Sequence, residues 1–239
     1  MTYKPFGNFA ILVAWDAEIS ISISEDILKF QQKIKAIKDP NITDVVMGYS
    51  SLTVLFKNTG IGYLSKVKSL KEIYKSKYTG FKKTAFTWEI PVCYDLEYGI
   101  DLQEISKKTN LEVSEIIKLH AQTLYRVYFI GFLPGFLYLG GLDAQLFFER
   151  KANPRLHVAK GSVAIGGKQT GVYPSESAGG WNVIGKTPVN FFNINENNPC
   201  FAKAGDFIKF RAIDKDVFLQ IQKEVKENSY QISKTSQND

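Results

Sequence analysis

The chain has 239 residues, a formal net charge of +6, 44% hydrophobic and 13% aromatic residues, and two cysteines, Cys93 and Cys200. That length and composition suit two compact units with a sizeable core, and no run of 18 apolar residues offers a membrane span. The two cysteines match neither zinc nor CxxC spacing, and the opening "MTYKPFGNFAILVAWD" lacks a signal-peptide cleavage site, so a reduced, cytoplasmic chain is expected.

The first 90 residues alternate between strand and helix patterns. "FAILVAW" (9–15) reads as a strand. "SISEDILKFQQKIKAIKD" follows as a helix, with Ser22 and Glu25 as a capping box, a stripe of Ile27, Phe30, Ile34 and Ile37, and a stop at Pro40. "ITDVVMG" and "SLTVLF" read as a hairpin, 62–76 as a second helix, and "AFTWEIPVCY" as a strand. The resulting βαββαβ order predicts a ferredoxin-like α+β domain over 1–86. Seven lysines against one acid between Lys66 and Lys83, with no arginine, point to a solvated helix face or a partner surface and away from nucleic acid.

Beyond Cys93 two short helices are expected, 101–109 with Asp101 and Glu104 as its capping box, and about 113–121. Short strands broken by Gly and Pro then run to residue 211, the texture of a closed or nearly closed β-barrel. A last helix is expected over 212–226, which puts the second domain at 87–226. The polar tail 227–239 is expected to fray.

Common catalytic motifs are absent. "GG" before Lys168 fails as a phosphate loop, because Ser162 stands where its first glycine belongs and Gln169 where the magnesium-binding hydroxyl belongs. No GxSxG elbow occurs, and two histidines make a metal site unlikely on composition. His120 lies on the apolar stripe of its helix with Val113, Ile116 and Ile117, which fits either a core histidine or a tuned base. His157 lies in a turn-like segment.

Two runs carry the remaining signal. "YRVYFIGFLPGFLYLGGL" (125–142) packs six aromatics around "GFLPGF". "GSVAIGGKQTGVYPSESAGGWNVIG" (161–185) holds seven glycines, with Tyr173 and Trp181 between the Gly-Gly turns. Read from the residues, this second run is either plain barrel turns or the wall of a small-molecule pocket.

These runs, with "PVCY" (91–94) and "NPRLHVAKG" (153–161), keep the order and separation found in the family of KipI and the 5-oxoprolinase B subunits, the allophanate hydrolase subunit 1-like proteins. The chain resembles that family through its "GFxPGFxYLGGL" and "QTGxYPxExxGGWxxIG" patterns over 85–212, and by position and pattern alone before that. It departs at Asp95-Leu96, where the family has Gly-Gly, at Ile100 and Ala178, where it has proline, and at Ala159 in the "VPAG" turn. Those departures make the loops near any site atypical.

The resemblance implies a cyclophilin-like β-barrel behind the small α+β domain. It also implies work with the C and A subunits of 5-oxoprolinase in opening the lactam of 5-oxo-L-proline to L-glutamate, with ATP and Mg2+ held by the assembled complex. The unstrained lactam resists water, so ATP is expected to activate the carbonyl oxygen, which requires cations and a base. On this resemblance His120 is expected as base or orienter, and Arg126 and Arg155 as partners of the carboxylate or phosphorylated oxygen. Glu176 is expected as a fourth catalytic group, Gln169 and Tyr173 as hydrogen-bonding groups, and Phe136 and Trp181 as apolar walls. No metal ligand is expected in this chain. Some relatives instead inhibit a sensor histidine kinase as protein partners, and others form part of urea-amide enzymes with a biotin carboxylase.

Overall fold

A computed structural model describes residues 1–57, 60, 62–77, 80 and 84–237. The chain divides into two compact units, 1–83 and 84–239.

The first unit holds β1 (Thr2–Phe6), β2 (Ala10–Ala14), α1 (Ile21–Ile37), β3 (Ile42–Met47), β4 (Ser51–Phe56) and α2 (Tyr63–Lys75). Its antiparallel sheet runs β1-β2-β4-β3. The order is therefore ββαββα, and the expected ferredoxin-like βαββαβ order is corrected in two respects. The strand at 85–93 leaves for the second unit, and β1, unseen in the sequence because its side chains are nearly all exposed, takes the edge beside β2. Ile27, Phe30 and Ile34 bury the stripe of α1, and Val67, Leu70 and Ile73 that of α2. Ile37, expected on the α1 stripe, is exposed, as is Leu64 in the first turn of α2. Ser20, not Ser22, is the first residue of the α1 boundary, and no side-chain cap bond forms there.

The second unit begins with β5 (Ala85–Cys93), α3 (Leu102–Thr109) and α4 (Val113–Gln122). Then come β6 (Leu124–Ile130), β7 (Leu137–Gly140), β8 (Arg155–Val158), β9 (Ser162–Gly166), β10 (Gln169–Val172), β11 (Ser177–Gly179), β12 (Asn182–Lys186) and β13 (Phe207–Ile213). It ends with α5 (Lys215–Lys226) and β14 (Lys234–Gln237). Strands β12-β9-β10-β7-β6-β13-β5 pair in sequence, and Lys186 opposite Cys93 joins β12 back to β5. This is a closed seven-strand barrel, which leaves no open edge among its members. The C-terminal tail does not fray over 234–237: β14 pairs antiparallel with the start of β5.

Alternation along the strands gives the barrel two apolar faces. Tyr125 and Val127 of β6, Leu137 and Leu139 of β7, and Val163 and Ile165 of β9 belong to the interior core, with Leu102, Ile105 and Ile116 from the helices. Phe136, Tyr173, Trp181, Ala164 and Val183 form a separate cluster. Because Ala164 alternates with Val163 and Ile165, that cluster lies on the outer face of the wall.

Candidate functional site

The glycines of 161–185 explain the second cluster. A methyl group added at Gly166 would stand 2.5 Å from Trp181 Cδ1, and one at Gly179 would collide with the Tyr173 phenol. Bare backbone at these positions lets two large rings lie directly against the strands. Phe136 meets both Tyr173 and Trp181 edge-on, each at 5.5 Å between ring centroids, and Tyr138 at 4.9 Å. Phe132 stands edge-on to Phe136 at 5.6 Å. Its φ of 65° is uncommon for a bulky residue, and its ring is exposed.

These rings line an open cleft of about 330 Å³, with Arg150, Lys151, Pro154 and the Ala178–Gly180 backbone on its rim. The Arg150 guanidinium lies 5.7 Å from the centroid of the Trp181 ring. Among the described residues no carboxylate lies within ion-pair distance of it. Burial pushes the Tyr138 and Tyr173 phenols up, so both are neutral donors near pH 7. The lining contains no His, Asp, Glu, Cys or Ser. The cleft can hold a small planar molecule with an anionic group, but it brings no group suited to moving a proton near neutrality.

Of the residues expected from sequence, Phe136, Tyr173 and Trp181 come together here. Arg126 and Gln169 do not line the cleft. Arg126 pairs opposite Gly140, and the Thr170–Leu139 register puts Gln169 on the other side of Gly140, on the same outer face. Arg126 covers the Phe207 ring at 5.8 Å, and the buried Gln169 Oε1 has no hydrogen-bond partner among the described residues.

The other three have different tasks. His120 is fully buried inside the barrel, stacked on Phe210 at 4.7 Å. The Thr170 hydroxyl gives its proton to Ala164 O at 3.0 Å, so it accepts from His120 Nε2 at 2.9 Å. Nδ1 is then the acceptor for the Tyr94 phenol at 2.7 Å. Both ring nitrogens are used and the side chain is fully buried, so the residue expected as a base sits as a core histidine. Glu176 is also misplaced by the expectation: it is an exposed residue 3.0 Å from the exposed His157.

Arg155 is committed to a carboxylate. Its Nη1 and Nη2 meet Asp101 Oδ2 and Oδ1 at 2.9 and 2.6 Å. Lys151 Nζ adds a contact at 2.9 Å to Oδ1, and the Val183 backbone N–H donates to Oδ2 at 2.7 Å. Burial alone would raise the Asp101 carboxyl, but the hydrogen bonds from Arg155, Lys151 and Val183 outweigh it and hold it below its ordinary value. Asp101 is thus no capping-box residue: it makes no side-chain cap bond to α3. It ties the start of that helix to β8, to β12 and to the segment carrying Arg150.

Burial lowers the His120 pKa from 6.5 to about 3. Below pH 6.5 the unfolded chain takes up a proton that the folded chain refuses, so this stabilisation is complete above 6.5 and declines as pH falls toward 3. The stability advantage of the wild type over His120→Gln should therefore shrink by about 1.3 kcal/mol between pH 7 and pH 5.5. Urea unfolding at the two pH values measures it, and an unchanged difference would mean the ring is not held neutral.

Residues 1–202 match the family described as carboxyltransferase domain, subdomain C and D. The B subunit of 5-oxoprolinase from Bacillus subtilis (strain 168) is 35% identical over 89% of this chain and 93% of that protein. The protein of the same name from Haemophilus influenzae is 36% identical over 88% of this chain and 97% of its own length. The chain belongs to the family of 5-oxoprolinase B subunits. In three dimensions the solved chain TTHA0988 superposes with a TM-score of 0.74 at 28% identity, covering 86% of this chain and 40% of that longer one. The urea amidolyase of K. lactis shares the fold at a TM-score of 0.83, with 16% identity, over 98% of this chain and 16% of that protein.

Membership in this family leaves the cleft residues to be read from the structure. Sequence reasoning missed Arg150, Tyr138 and Phe132. The two aromatics stood inside a run already singled out, and Arg150 is one of only four arginines. What hid Arg150 was its distance from both runs; the Asp101 hub folds its segment back to Trp181. Among the described residues no group of three or more His, Cys, Asp or Glu could hold a metal ion, and no helix is long and apolar enough to cross a membrane.

Proposed function

We propose that this chain is the B subunit of an ATP-dependent 5-oxoprolinase that hydrolyses 5-oxo-L-proline to L-glutamate, and that the outer-face cleft is its share of the lactam site. On this reading the barrel is the cyclophilin-like domain of the family, acting with the C and A subunits of the enzyme. The observation that carries the reading is the cleft itself, in a chain of this family. It has an aromatic floor, an Arg150 guanidinium with no carboxylate partner among the described residues, and no proton-transfer group in its lining.

5-Oxoproline is a flat five-membered lactam bearing one carboxylate. The ring face packs on Trp181 and Phe136, and the carboxylate pairs with Arg150, which holds it by charge-assisted hydrogen bonds. Tyr138 or Tyr173, as a neutral phenol, donates to the lactam oxygen where negative charge grows. The proton-transfer group comes from the partner that closes the open side. The roles expected for His120, Arg126, Arg155 and Glu176 at the reacting atoms are not retained. His120 and Arg155 keep the wall and its loops in place.

The cleft offers neither a phosphate loop nor a cluster of carboxylates for a cation. ATP and Mg2+ do not fit these residues, and their binding is left to the complete assembly.

The test is 5-oxoproline-dependent ATP hydrolysis with glutamate release, by this chain alone and mixed with its candidate C and A subunits. Turnover in the complete mixture and none with the chain alone is expected. No turnover in any mixture whose assembly has been demonstrated would reject the reading and favour a KipI-like inhibitor of a histidine kinase.

A further inference from the structure

A second cavity, of about 360 Å³, lies where the C-terminal end of β12 faces the last turns of α5. Lys160, Lys186 and Lys226 line it, with Thr187, Asn190 and Gln222 between them, and no acidic residue takes part. It shares no lining residue with the aromatic cleft.

Some lysines elsewhere in this unit, Lys108, Lys151 and Lys203 among them, lie within ion-pair distance of a carboxylate. On α5 itself Lys215 reaches Glu97 at 2.8 Å, and Lys223 reaches Glu227 at 4.0 Å. Among the described residues none of the three cavity lysines has such a partner. Lys186 Nζ lies over the face of the Tyr98 ring at 5.7 Å, a contact that supplies no anionic partner. Lys226 alone could be explained as a cation complementing the helix C-terminus. That does not account for Lys160 and Lys186, which arrive from the loop before β9 and from β12.

Thr187 adds an independent observation. It is 2% exposed, and its Oγ1 accepts from Val189 N at 3.3 Å. Its own proton has no acceptor among the described residues. A buried hydroxyl with an unspent proton, on a residue that lines a cavity together with three lysines and two side-chain amides, gives a donor set that lacks its acceptor.

We infer that this cavity is an anion site for a small molecule carrying a phosphate group. Three cations around one concave space repel one another until an anion enters, and a phosphate supplies both the charge and several acceptor oxygens. An acidic peptide from a partner would satisfy the charges, but it would not need the buried Thr187 donor or a concave cavity. This inference does not depend on the lactam reading.

The test is calorimetric titration of the full chain with inorganic phosphate, pyrophosphate and magnesium-free ATP, with polyglutamate as a competitor. Saturable one-site binding by at least one phosphate ligand is expected. Comparable binding by inorganic phosphate would identify the free group as the source, and binding of ATP alone a nucleotide. The combined K160Q, K186Q and K226Q variant should weaken binding about tenfold or more, whereas K223Q on the same helix should leave it nearly unchanged. T187V should weaken it and T187S retain it, with unfolding curves confirming that each variant is folded. No saturable binding by any phosphate ligand, equal binding by the folded triple variant, or binding of polyglutamate alone would each overturn the inference; the last would make the surface a docking site for an acidic chain.

Discussion

Replacing Asp101 by alanine should cost about 3–5 kcal/mol of folding stability, the range for breaking a buried ion pair and leaving its partner cations behind. The Asp101 side chain is 3% exposed and accepts from Arg155, Lys151 and the Val183 backbone. Its loss leaves Val183 N–H without that acceptor and places two positive groups together without their shared anion. Asp101→Asn keeps the shape but loses the charge and should fall between alanine and the wild type. Because the folded carboxyl has a pKa below its ordinary 3.8, its contribution is present above that value and disappears as pH falls through the folded pKa. Urea unfolding near neutral pH gives the first result directly. A loss below about 1 kcal/mol for the alanine variant would contradict the hub.

The second large effect belongs to Trp181. Truncation to alanine should destabilise the chain by about 3–5 kcal/mol, because a large ring packed on Phe136 and on the Gly166 backbone is replaced by a void. Gly166→Ala approaches the same wall from the other side. Its methyl would overlap Trp181, so the ring must move at a cost of about 1–3 kcal/mol. Both variants should also weaken substrate binding, since each removes or shifts the floor of the cleft. Thermal unfolding combined with KM for 5-oxoproline separates the two consequences. A Gly166→Ala protein with unchanged stability and KM would show that the close ring-to-backbone contact does not shape the site.

The barrel was legible because its signal is local. Alternating apolar residues in 125–142 and 161–185, punctuated by glycine, specify short strands whichever partners they choose. Partner choice is not local, and there the reading failed in the first unit. The strand at 85–93 has the same texture in a sheet edge or in a barrel wall, and only the parallel pairing of β13 with β5 decides between them. For the site, the aromatic triad of Phe136, Tyr173 and Trp181 could be found because large rings set among glycines are unusual. Charged residues were harder. Arg155 and His120 carry the residue types of catalysis, yet their partners, Asp101 and the Tyr94–Thr170 pair, lie 54, 26 and 50 positions away and consume their hydrogen-bonding capacity. Arg150 is hard to read for the converse reason: its value lies in having no carboxylate partner among the described residues.

The most direct measurement is steady-state turnover of 5-oxoproline by the reconstituted assembly carrying Arg150→Gln or Arg150→Lys in this chain. If Arg150 holds the substrate carboxylate, Gln should raise KM about tenfold or more, and Lys, with the charge but without the bidentate fork, should fall in between. Stability should stay near that of the wild type, because Arg150 is exposed and makes no ion pair among the described residues. An assembly that keeps wild-type KM and kcat with Arg150→Gln would contradict the placement of the lactam in this cleft.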